Sequence, residues 1–124
     1  MCWSMGVTVA LGAAGSAATG VTIGRGDPPA IPATIAWFTL MEALQVAGHA
    51  TVDRCGSPTN QGVALLSYLH IAFQPFFVNA FAMALLARDL RPPARLFVCI
   101  CCGASAAVML LQVFPFDWAG SCPA

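Results

Sequence analysis

The run AIPATIAWFTLMEALQVAGHAT, Ala30–Thr51, holds a single charged side chain, Glu42, in the middle of an otherwise apolar sequence. A helix needs ~20 residues to cross ~30 Å of hydrocarbon, so this run is long enough to span a bilayer. It therefore poses two questions. One is whether the rest of the chain repeats the pattern, and the other is what an ionisable carboxylate does at such a depth.

The 124-residue chain is 59% hydrophobic and 8% charged, with a mean hydropathy of +0.79. Soluble domains are far more polar, so this is membrane composition, and a chain so short leaves no room beside its spans for a soluble domain and gives no sign of nucleic acid as a partner. The charged side chains are Arg25, Asp27, Glu42, Asp53, Arg54, Arg88, Asp89, Arg91, Arg95 and Asp117. All except Glu42 lie in short clusters or near a segment end. They leave four apolar stretches, residues 2–24, 30–51, 62–87 and 96–116. The first lacks the positive n-region of a signal peptide and has no Ala-x-Ala-like cleavage site with a soluble domain behind it, so it reads as a retained span. Gly-Asp-Pro-Pro at 26–29, Arg-Cys-Gly-Ser-Pro at 54–58 and Arg-Pro-Pro at 91–93 interrupt the helices, because proline forfeits a backbone donor and clashes with the preceding turn. The expected fold is all-α, an integral membrane bundle of four transmembrane helices forming one domain over residues 1–124.

Arginine in short loops sets orientation. Arg25, Arg88, Arg91 and Arg95 fall in the first and third connections, against Arg54 alone in the second. The chain is thus expected in a bacterial inner membrane with both termini outside the cytoplasm, Trp3 and Trp118 lying at the outer interface. Cys2, Cys55 and Cys122 would share that oxidising side. Three cysteines allow three pairings, and spacing does not choose among them; Cys55 with Cys122 would tie the second loop to the tail. Cys99, Cys101 and Cys102 would lie in the cytoplasmic half. Thiolates are soft ligands for copper(I) or zinc, but positions i, i+2 and i+3 converge poorly on one helix face, so packing is the expected role.

Gly12, Ser16, Gly20 and Gly24 recur every four residues and form a smooth ridge. Small residues at that spacing let a second helix approach closely, whether from this chain, a second copy or another membrane subunit.

Glu42, Gln45 and His49 share one helical stripe at i, i+3 and i+7, and the third stretch answers with His70 and Gln74, then Asn79. Counting rise from the arginine-rich side places Glu42 at ~18 Å and Gln74 at ~20 Å, with His70 at ~26 Å and His49 at ~28 Å. Carboxylate is then expected opposite amide and imidazole opposite imidazole. Intramembrane ionisable groups are costly and mark functional sites, and Pro75 frees the carbonyl of Ile71 close by. The readings are a structural polar network, a site for a proton, metal ion or small ligand built from Glu42, Gln45, His70, Gln74 and Asn79, or haem bound through His49 and His70. A metal ion would take His49, His70 and Glu42, one ligand set of the size zinc uses. HExxH and GxSxG motifs are absent and Ser4 lies too near the interface, so enzymatic activity is not the expected role. The rival reading is a structural or accessory subunit of a membrane complex with no ligand.

Met1-Cys-Trp-Ser4, FTLMEALQ at 38–45, YLHIAFQPFFVN at 68–79 and WAGSCP at 118–123 together resemble an uncharacterised family of bacterial multi-pass membrane proteins. The resemblance covers the whole chain and implies no activity. It implies an architecture that continues past Ser121-Cys122-Pro123 into a cysteine-bearing outer loop and further hydrophobic segments, which makes these four spans part of a longer bundle. Cys122 would then pair with a cysteine of that loop.

Overall fold

The computed structural model describes residues 4–51, 53, 56–86 and 91–113. Four helices follow one another, α1 (Met5–Gly24), α2 (Ala30–Thr51), α3 (Pro58–Leu85) and α4 (Arg91–Leu111). Among the described residues there is no strand, so the all-α expectation holds, and each helix is long and apolar enough to cross a membrane.

Helix ends follow local chemistry. After α1 the chain turns through Gly26, whose φ of +71° favours glycine, and the Asp27 N–H returns to Thr22 O at 3.1 Å. Gly56 plays the same part before α3, at φ +76°. Ser57 then caps α3 by accepting from the Asn60 N–H at 3.2 Å, with Pro58 as the first helical residue.

The starts of α3 and α4 differ from expectation. α3 begins at residue 58 rather than 62, and α4 at 91 rather than 96. In both cases the prolines occupy the first turn of the helix, where the missing N–H has no intrahelical partner to lose. Pro75 lies inside α3, which continues through it.

Hydroxyls inside the helices bond the carbonyl one turn back. Ser16, Thr19, Thr39 and Thr51 donate to Gly12 O, Gly15 O, Ile35 O and Ala47 O at 2.8 to 2.9 Å. Each polar group is satisfied within its own helix, as hydrocarbon surroundings demand.

The helices form an open row in which α1 packs on α2, α2 on α3 and α3 on α4. Among the described residues α1 and α4 do not meet, so the row does not close into a ring. Among the described residues the buried apolar ones are few, namely Ala72, Cys102, Ala106 and Val113, while Ile23, Leu96, Phe97 and Leu111 are each more than 60% exposed. Such an exterior is a liability in water and suits contact with lipid.

The face that α1 turns to α2 is Thr8, Gly12, Gly15, Thr19 and Thr22, at i, i+4, i+7, i+11 and i+14. Thr8 is fully buried and the others half-buried. A side chain added at Gly15 would collide with Thr39, and one added at Gly12 would meet the Glu42 Cβ at 3.6 Å. Of the expected ridge, Gly12 alone serves this contact. Ser16, Gly20 and Gly24 are exposed, with open space beside Gly20 and Gly24.

Candidate functional site at the seam of α2 and α3

Two turns of α2 supply the side chains that face α3. Thr34 and Trp37 lie three residues apart and project to the same side. The Thr34 hydroxyl shares its proton between Ala30 O at 2.7 Å and Phe77 O at 2.8 Å. That second bond crosses from α2 to α3 and fixes their register.

Trp37 slots between two rings spaced i, i+7 on α3. Its ring stacks on His70 with centroids 4.4 Å apart and planes 12° from parallel, and on Phe77 at 4.0 Å and 10°. Aromatic pairs of this kind contribute ~0.5–1.5 kcal/mol each beyond the area they bury. The indole is thereby clamped and reports on both neighbours.

His70 is 2% exposed. Its Nε2 lies 2.7 Å from Trp37 O. A carbonyl only accepts, so Nε2 carries the hydrogen and donates. In the neutral ring Nδ1 then holds a lone pair, and it is buried without a partner among the described residues. Trp37 Nε1–H, a donor, is likewise buried and unpartnered. One acceptor and one donor are thus left open on two stacked rings.

Pro75 and Asn79 form the far side of α3. Asn79 Nδ2 donates to Pro75 O at 2.8 Å and to Cys102 Sγ of α4 at 3.4 Å. Two turns away, the Tyr68 hydroxyl donates to Met109 O at 2.6 Å. Small buried residues, Ala72, Cys102 and Ala106, let α3 and α4 approach between these two bonds.

The expected site residues separate in this arrangement. Glu42 stands on the α1 side of α2, its Cβ against Gly12. Among the described residues no hydrogen bond joins Glu42 or Gln45 to Gln74. The depth reckoning is corrected by the two bonds across the seam, which set residue 37 against 70 and 34 against 77. Gln74 therefore lies level with the stretch from Thr34 to Trp37, more than a turn from Glu42. The end of α3 overhangs the start of α2, so counting both from a common plane shifted one helix against the other.

His49 fails to meet His70 for the same reason. It is exposed at the end of α2, twelve residues or ~18 Å of rise beyond Trp37. Two axial haem ligands need to face each other across the ring, so this pair does not fit haem. Nor do His49, His70 and Glu42 converge as a metal set: among the described residues no group of three His, Cys, Asp or Glu side chains is placed to hold an ion. In α4, Cys99 and Cys101 are exposed and Cys102 is buried, so the three thiols diverge. Cys2, Cys55 and Cys122, and with them the expected disulfide, lie outside the described residues.

Sequence reasoning passed over Trp37, Thr34, Phe77 and Tyr68. A tryptophan well inside a span, away from the interfaces where indoles collect, was the available signal. So was the i, i+7 spacing of His70 and Phe77.

No curated protein and no solved structure is significantly similar to the chain. A family model described as a family of unknown function, DUF5765, matches residues 6–124, and the chain belongs to that family.

Proposed function

We propose that this chain is a multi-pass membrane protein with an intramembrane site between α2 and α3, centred on His70, for a proton or a small polar molecule. The observation that carries the proposal is the open pair on stacked rings, His70 Nδ1 and Trp37 Nε1–H. Unpartnered buried polar groups are rare because each costs ~1–3 kcal/mol, and a ligand that accepts from the indole and donates to the imidazole relieves both. A water or hydroxyl group has that chemistry. A water so bound also gives a proton a route to Nδ1, the lone-pair nitrogen of an imidazole whose other nitrogen is held by a backbone carbonyl.

Of the other expected residues, Gln74 stands one turn beyond His70 on the same side of α3 and belongs to the wall of this site, whereas Asn79 faces α4 and lies outside it. Glu42 and Gln45 stand on α2 beyond it, Glu42 on the α1 side. The arginine asymmetry supports an inner-membrane setting with both termini outside.

Solid-state NMR of the protein in lipid bilayers tests the proposal through polarisation transfer from water to the ring nitrogens. The expected result is transfer to Trp37 Nε1 that disappears in His70→Phe. Absence of transfer in the unsubstituted protein would leave the seam dry and the reading untenable.

The open row favours a second reading, an accessory subunit that docks other helices. The outward residues Ser16, Gly20 and Gly24 supply a smooth surface for such a contact. Gly20→Ile should then abolish any larger species on native gels, whereas a monomer before and after substitution would remove this reading.

A further inference from the structure

α2 begins, α3 ends and α4 begins at one end of the row, and between them lies a cleft of about 580 Å³. This is within the ~300–1,000 Å³ of ordinary ligand pockets. Its walls are apolar, with Pro28, Phe76, Met83 and Val98 among them, and Asn79 lines it next to its contact with Cys102. Met83 stands two residues from the end of α3 and Phe76 nine, so the cleft runs ~13.5 Å inward from that helix end. Arg95, in the second turn of α4, is the lining residue that bears charge. Its side chain is exposed, and it has no carboxylate partner among the described residues.

These features call for a ligand that is anionic at one end and apolar at the other. A soluble anion would satisfy the guanidinium and leave the apolar walls uncovered. A neutral tail would cover the walls and leave the cation unpaired. We infer that the cleft binds an anionic phospholipid, its phosphate on Arg95 and the upper part of an acyl chain between α3 and α4. Arginine suits the role because its planar fork bonds phosphate oxygens in pairs. Arg25, just after α1, and Arg91, which begins α4, stand at this same end, the side expected to face the anionic cytoplasmic leaflet. The inference rests on the membrane reading above and is independent of the His70 site.

Native mass spectrometry of the detergent-purified chain tests it, with phosphatidylglycerol and phosphatidylcholine of identical acyl chains added in turn and inorganic phosphate as a third ligand. One phosphatidylglycerol per chain is expected to be retained about fivefold better than phosphatidylcholine, the scale of one arginine near a charged membrane surface. Arg95→Gln should bring the two lipids to parity. Ala80→Phe, which places a ring in the cleft while leaving Arg95 intact, should reduce retention of both. Circular dichroism checks that each variant remains helical. Equal retention of the two lipids, a preference that survives both substitutions, or binding of inorganic phosphate as strong as that of phosphatidylglycerol would each overturn the inference. Co-flotation of the protein with vesicles tests the membrane reading separately, and failure to float would remove that reading and this one together.

Discussion

α2 has two packed faces, and they are built by opposite means. Toward α1 it meets glycines and hydroxyls. Gly12 and Gly15 let the backbones approach, while Thr19 and Thr39 spend their donors on their own helices. Toward α3 it meets rings, with Trp37 between His70 and Phe77 and two hydrogen bonds crossing to the neighbour. On the first face the hydroxyls are satisfied within their own helices, whereas the second leaves an acceptor and a donor open. Close packing of small residues holds helices without creating chemistry, and an aromatic seam holds them while exposing ring nitrogens to each other.

Substitutions break this contrast in graded steps. The largest effect is expected for Trp37→Ala, which removes both stacks and leaves a large void; such truncations cost ~3–5 kcal/mol. Next comes Gly15→Val on the other face, where the added methyls meet Thr39 and overpacking costs ~1–3 kcal/mol. Shortening Thr39 to alanine in the same chain should restore most of that loss, whereas no restoration would place the strain elsewhere. Thr34→Val keeps shape and removes the bond to Phe77 O, and bonds between membrane helices average ~0.6 kcal/mol and reach ~1.7. Reversible unfolding in bicelles measures all three.

His70→Phe sharpens the comparison further. It loses the bond to Trp37 O but also removes a buried acceptor with no partner, and these contributions offset, so stability should change by less than ~1 kcal/mol. A loss of several times that size would mean that His70 is structural glue rather than a site. Glu42→Gln should have the smallest effect on folding, because the half-buried side chain meets Gly12 through its Cβ and its carboxyl group holds no hydrogen bond among the described residues. Marked unfolding of that variant would show a carboxylate interaction essential to the α1–α2 face.

The four helices were legible in the sequence because charge and hydropathy alone divide the chain. Starts at Pro58 and Arg91 were less so, since Pro-rich segments mark a break without saying whether the proline ends one helix or begins the next. Depth was the least legible property. Rise per residue is fixed, but the plane from which each helix is counted depends on packing, and α3 overhangs α2. That offset moved His70 from the level of His49 to that of Trp37. The stripe through Glu42 was correctly helical in spacing, yet spacing does not say which neighbour a stripe faces. Gly12 and Gly15, by accepting the close approach of α2, decide that Glu42 turns to α1.

The central claim concerns one imidazole. A nitrogen-15 spectrum of His70 in lipid bilayers resolves its two nitrogens directly. The account predicts hydrogen on Nε2, bonded to the Trp37 carbonyl, and an Nδ1 whose only contact is with water or another non-protein donor. Hydrogen on Nδ1 in the neutral ring, or an Nδ1 bonded to a protein group, would contradict it.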